Sequence, residues 1–152
     1  MKDKHFHVAA TLVLCTTCAL PASAQQKPDV LVKQRQSAMV LIGKYFGPMN
    51  SMAQGKTPYD ANVVQRNVGY LDALSRMPWD GFTPATKEVK SRALPAVFED
   101  TAKFKQAQDR LTGEVAKLVE VSKKGDESAV KSQIAVVGKA CGACHDDFRE
   151  KQ

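Results

Sequence analysis

Cys141-Gly142-Ala143-Cys144-His145 is a C-x-x-C-H run, and its residue types and spacing carry the most specific chemistry in the 152-residue sequence. On a helix, positions i, i+3 and i+4 share one face. Two thiols so placed can add to the two vinyl groups of one porphyrin while the adjacent imidazole reaches its iron from the same side. This is the haem c attachment pattern. Competing chemistries need more than the run provides. A redox C-x-x-C belongs in a βαβ setting, and a zinc site needs four ligands. From Gln25 onward there is no other cysteine or histidine to complete one.

That scarcity depends on dividing the chain. Lys2 and Lys4 open a charged start, Val8 to Leu20 is mostly apolar, and Ala22-Ser23-Ala24 supplies an A-x-A cleavage site. Residues 1–24 therefore read as a secretory signal that is removed, leaving a domain over 25–152 and a periplasmic location. Cys15, Cys18, His5 and His7 fall in the leader. Cys15-Thr16-Thr17-Cys18 is followed by alanine, not histidine, and is a decoy. With two cysteines left, a disulfide scaffold is excluded, although the exported setting is oxidising.

The remaining residues must position this cluster, and their apolar periodicity is helical nearly throughout. A first helix is expected from Pro28-Asp29, with Leu31, Ala38, Ile42, Tyr45 and Met49 on or near one face. Gly47-Pro48 is expected to kink it or end it early. Gly55 to Pro58 is a turn, and Asp60 caps a second helix that turns Val63, Val64, Asn67, Val68, Leu71 and Leu74 inward and stops before Pro78. Residues 78–94 form a long connection with Trp79, Phe82 and Pro84, placed to pack aromatics on a cofactor or the core. A third helix is expected from Pro95, burying Phe98, Ala102, Leu111, Val115 and Leu118 and stopping at Gly125. Asp126 then caps a fourth, with Val130, Ile134, Val137, Cys141, Cys144 and Phe148 at helical spacing. The expected class is all-α, an antiparallel four-helix bundle with one covalent haem c between helices at one end, near the C-terminus.

Taken together, these residues resemble the cytochrome c′ family, the class II c-type cytochromes. The resemblance rests on Arg35-Gln36-Ser37-Ala38, Pro58-Tyr59-Asp60-Ala61, Leu74-Ser75, Pro78-Trp79 with Phe82, Phe104-Lys105, and the run from Gly138 to Arg149. It implies His145 as the proximal iron ligand, with Arg149 flanking that face one turn beyond. It also implies Arg35 pairing with a haem propionate and Met39 packing over the distal face. Arg35 and Met39, four apart, share a helix face in any case. Read without the family, a solvated arginine at 35 and a charge on a frayed tail at 149 stay open as the less favoured readings.

The sixth iron position decides function. A second histidine is excluded, which leaves Met39, Met49, Met52, Met77, a lysine, or no ligand. Most methionines serve as irregular core filler. The family's commoner distal residue is leucine. Thioether sulfur is a competent haem ligand, and low-spin members of the class use methionine at this position. Arg35-Gln36 and Pro78-Trp79 are closer to the five-coordinate branch. The favoured expectation is an open distal site that binds NO and CO while the iron cycles between Fe(III) and Fe(II). The alternative is a low-spin electron carrier with Met39 bound. No distal acid–base histidine remains for peroxidase chemistry, so an enzyme is not expected.

From Gln25 onward 20 basic residues face 15 acidic ones, a formal +5 that two ionised propionates bring to about +3. Mild basicity is compatible with acidic redox partner proteins. Nucleic-acid binding has no motif and no membrane contact is expected after leader removal. The family resemblance implies a homodimer through the first two helices.

Overall fold

The computed structural model describes residues 26–151, so the expected leader at 1–24 lies outside the described residues. The first helix, α1, spans Pro28–Ala53. Pro28 sits in its first turn, where the fixed φ costs nothing, and Asp29 complements the positive end of the helix dipole. Contrary to an early end at Gly47-Pro48, the helix continues for five residues past Pro48. Met49 and Met52, both buried in the main core, hold that last segment down. Asn67 Nδ2 donates to the Tyr45 carbonyl at 3.1 Å, adding a partner in the turn where proline removes a donor. The inward face also differs by one position at its start: Val32 is buried, whereas Leu31 and Tyr45 are only half-buried.

Gly55, at φ +68°, ends the turn after α1 in the left-handed region that glycine adopts without strain. Helix α2 spans Ala61–Leu74 and is capped as expected, Asp60 accepting from the Asn62 and Val63 amides at 2.9 and 3.1 Å. It buries Val64, Asn67, Val68, Leu71 and Leu74, with Val63 half-buried.

The long connection is ordered by two 3₁₀ turns, Trp79–Gly81 and Pro84–Thr86, and leads to a single helical turn, α3, at Ala96–Glu99. The third helix expected from Pro95 is divided. Asp100 takes non-helical angles (φ −113°, ψ 67°) and its side chain caps α4, Thr101–Lys123, through the Lys103 amide. The break resets the helical phase, so Val97 and Phe104 are buried and Ala102 is exposed. After Gly125, at φ +75°, Asp126 caps α5, Glu127–Phe148, by accepting from the Ala129 amide at 3.1 Å.

The long helices α1, α2, α4 and α5 form an antiparallel bundle around Met49, Leu71, Val115, Leu118, Ile134 and Val137, all at most 1% exposed. A second, smaller cluster of Val97, Phe104 and Phe148 closes the end where α5 finishes. There the connection straps the C-terminus in place. The Leu94 amide donates to the Phe148 carbonyl at 3.0 Å, and the Glu150 amide to the Arg92 carbonyl at 2.9 Å. This caps the last turn of α5, the turn that carries His145.

Candidate functional site

Between the two clusters the bundle forms a half-open cavity of about 650 Å³, within the usual range for a small-molecule or cofactor site. Its walls are mostly apolar: Ile42 and Phe46 from α1, Trp79 and Phe82 from the connection, Phe104 and Leu111 from α4, and Phe148 from α5. The aromatic side chains interlock. Phe104 meets Phe82 and Phe148 edge-on at 4.9 and 5.1 Å between ring centroids, and Trp79 at 6.2 Å. The Trp79 indole N–H donates to the Ser75 carbonyl at 2.8 Å, so this ring is fixed at both its apolar and its polar end.

All six residues singled out from sequence line this one cavity: Cys141, Cys144 and His145 from α5, Arg35 and Met39 from α1, and Arg149 just past the end of α5. The two thiols are half-buried and free, one helical turn apart. Burial pushes the Cys141 thiol up to about 11, with Cys144 adding to the effect, and burial and Asp147 raise Cys144. Both are therefore protonated thiols at neutral pH. His145 is shifted the other way. Partial desolvation, then Arg149 and Arg92, lower its pKa against a smaller opposing effect of Asp146. Its ring is neutral at pH 7 and has a lone pair for a metal.

The methionines separate cleanly. Met49 and Met52 are core residues, Met77 is 58% exposed, and Met39 alone among them lines the cavity; no lysine does. Arg35 is 3% exposed, which removes the solvated-arginine reading. Its Nη1 donates to the Gly81 carbonyl at 2.5 Å and to Thr86 Oγ1 at 3.0 Å, and Nη2 donates to Ser91 Oγ at 3.0 Å. The guanidinium also lies over the Phe82 ring, 4.3 Å from its centroid. Sequence reasoning missed Gly81, Thr86 and Ser91, because short polar residues in a loop carry no periodicity and no motif.

The comparisons with known proteins agree with this geometry. The profile of the family described as Cytochrome C′ matches residues 30–149. The chain belongs to the cytochrome c′ family. Cytochrome c′ of Rubrivivax gelatinosus is 42% identical over 127 residues, covering 83% of this chain and 98% of that protein. Its crystal structure superposes with a TM-score of 0.78 at 41% identity, over 82% of this chain and 98% of the other. A nitric oxide complex of a leucine-to-isoleucine variant of cytochrome c prime from Alcaligenes xylosoxidans gives 0.76 at 38% identity, over 82% and 98%. A carbon monoxide-bound leucine-to-glycine variant of the same protein gives 0.76, also at 38% identity and over 82% and 98%.

The cofactor of the cytochrome c′ family is covalent haem c. The residues present fit it. The apolar, aromatic walls suit a porphyrin, the paired thiols share a helix face with a neutral imidazole, and the buried Arg35 has no carboxylate partner among the described residues. No helix among the described residues is long and apolar enough to cross a membrane.

Proposed function

We propose that this chain is a periplasmic c-type haem protein that binds NO and CO at a five-coordinate iron and exchanges electrons with redox partner proteins. The observation that carries this reading is the cavity that gathers Cys141, Cys144 and His145 from one helix and, among the described residues, offers Met39 alone as a further methionine, histidine or lysine ligand. Haem c supplies an iron that cycles between Fe(III) and Fe(II) and can hold a small neutral ligand. Cys141 and Cys144 would anchor it as thioethers, and His145, neutral, would supply an imidazole nitrogen to its iron. Arg35 holds a propionate, and Arg149 flanks the His145 side. Ile42, Phe46, Phe104 and Leu111 line the cavity with apolar surface and offer no hydrogen bond to a bound ligand. Such a lining suits NO and CO and disfavours ligands that need a donor, and it contains no distal acid–base group for peroxide chemistry.

The location rests on the leader at 1–24. A homodimer through α1 and α2 is supported by the exposed Val40, Leu41 and Tyr70, at 71%, 39% and 46%. The alternative, a low-spin electron carrier, is favoured by one observation: Met39 is the methionine in the cavity wall, and thioether sulfur ligates haem iron. Titrating the purified ferrous protein with NO and CO tests the main reading. Rapid saturable spectral changes with both gases support it, and a protein inert to both supports the carrier.

A further inference from the structure

We propose that Ser91 binds the cofactor directly, donating its hydroxyl proton to the propionate carboxylate that pairs with Arg35, while Thr86 is a positioning residue that holds the Arg35 guanidinium for that pairing. The inference rests on the functional reading above and adds a ligand to the propionate end of the site. A guanidinium 3% exposed needs acceptors for its N–H groups and an anion for its charge. The connection supplies only acceptors. Gly81 O and Thr86 Oγ1 accept from Nη1 and Ser91 Oγ from Nη2, and all three oxygens are neutral. Nε donates to no acceptor, and no carboxylate pairs with the guanidinium, among the described residues. The unanswered N–H and the charge are thus left for a propionate, which brings two acceptor oxygens and a negative charge.

The two hydroxyls differ in what they have left to give. A hydroxyl carries one donor and two acceptor lone pairs. Thr86 is 0% exposed; its oxygen accepts from Arg35 Nη1, and its proton goes to the Thr83 carbonyl at 2.8 Å, with the Gly81 carbonyl at 3.2 Å. It has no donor to spare and acts on the cofactor only through Arg35. Ser91 is half-buried and lines the cavity. Its oxygen accepts twice, from Arg35 Nη2 at 3.0 Å and from the Ala93 amide at 3.3 Å, so both lone pairs are engaged. Its O–H has no acceptor among the described residues. The two accepted bonds turn that proton away from both donors. The Ala93–Arg149 bridge ties this stretch to the end of α5, so the backbone beneath Ser91 is held as well. A fixed, unspent donor beside a guanidinium in a mostly apolar wall suits an anion, and the cofactor carries carboxylates.

The test is resonance Raman spectroscopy of the ferric holoprotein, read at the propionate bending band, whose frequency falls as hydrogen bonding to the carboxylate weakens. A downshift is expected in Ser91→Ala and Thr86→Val and a larger one in Arg35→Gln, with the wild-type frequency kept in Ser91→Thr, which retains the hydroxyl. Double variants separate a ligand from a positioning residue. Adding Ser91→Ala to Arg35→Gln is expected to lower the band further, because Ser91 makes its own bond, whereas adding Thr86→Val is expected to change nothing more. A band unmoved by Ser91→Ala would overturn the direct bond, as would a Ser91→Ala shift that vanishes once Arg35 is Gln. An equal Thr86→Val shift with and without Arg35 would overturn the positioning role. A crystal structure of the wild-type holoprotein tests the proposal without any variant having to fold. Ser91 Oγ is expected about 2.5–3.0 Å from a propionate oxygen, and a hydroxyl turned away from both propionates would overturn the assignment. A wild-type preparation lacking covalent haem absorption would instead overturn the functional reading on which the proposal stands.

Discussion

At the scale of single residues, the attachment run was legible because its chemistry is tied to spacing, and a helix converts that spacing into a shared face. Met39 was one of four methionines by residue type alone, and only the family resemblance set it apart. The structure singles it out by packing, since Met49 and Met52 fill the core and Met77 faces solvent. The place of Arg35 beside the cofactor followed from the family resemblance, but the loop oxygens that hold it were not legible. Its partners lie 46 to 56 residues away along the chain and are ordinary loop residues. The raised thiol of Cys141 yields a prediction for the haem-free protein. Its folded pKa of about 11 lies above the ordinary value of 9.0, so the folded state retains the proton. Any stability this confers is fully present below pH 9 and is lost as pH rises toward 11. At pH 8 the thiolate fraction is about a hundredfold below that of an exposed cysteine, partly offset by the greater nucleophilicity of a more basic thiolate. Alkylation by iodoacetamide is expected to be roughly tenfold slower than for the urea-unfolded chain. Equal rates would show that the site is not formed before haem attachment.

At the scale of elements, the caps and turns were readable in advance: Asp60, Asp126, Gly55 and Gly125 all act where their chemistry places them. The misreadings share a physical cause, which is tertiary packing overriding a local signal. Of the kink or early end expected at Pro48, the early end did not occur because buried Met49 and Met52 follow it, and the third helix was divided because Asp100 is worth more as a cap than as a helical residue. Glycines give a matched pair of predictions. Gly81→Ala forces a Cβ within 2.8 Å of Arg35 Cβ and of a backbone carbonyl, neither of which yields easily. It is expected to cost about 1–3 kcal/mol in denaturant unfolding. Gly113, exposed inside α4 with nothing within 4 Å of a built Cβ, is the opposite case. Gly113→Ala is expected to stabilise by about 0.5–1 kcal/mol, as alanine loses less backbone freedom on entering a helix. If Gly81→Ala proved neutral, the connection would not lie against α1 as described.

At the scale of the whole molecule, the bundle is well filled along most of its length and built around a cavity of about 650 Å³ at one end. The overall architecture was legible from period and punctuation. The existence of a cavity was legible only through the attachment motif, because a sequence pattern reports which residues face inward and not whether they meet. Such a void is filled in the working protein by the cofactor, which stays attached on unfolding but buries its apolar surface only in the folded state and so stabilises it. Cys141→Ala with Cys144→Ala is therefore expected to lower the thermal midpoint substantially while leaving the helices formed at low temperature, as circular dichroism would read. An unchanged midpoint would mean that the cofactor contributes nothing to the fold. The central claim concerns the iron that this cavity receives, and one measurement addresses it most directly: the absorption and EPR spectra of the ferric holoprotein and of Met39→Leu, each before and after reduction under NO. A high-spin ferric signature is expected in both proteins, with an immediate spectral change under NO. A low-spin ferric signature that turns high-spin in Met39→Leu would contradict it and establish Met39 as the sixth ligand.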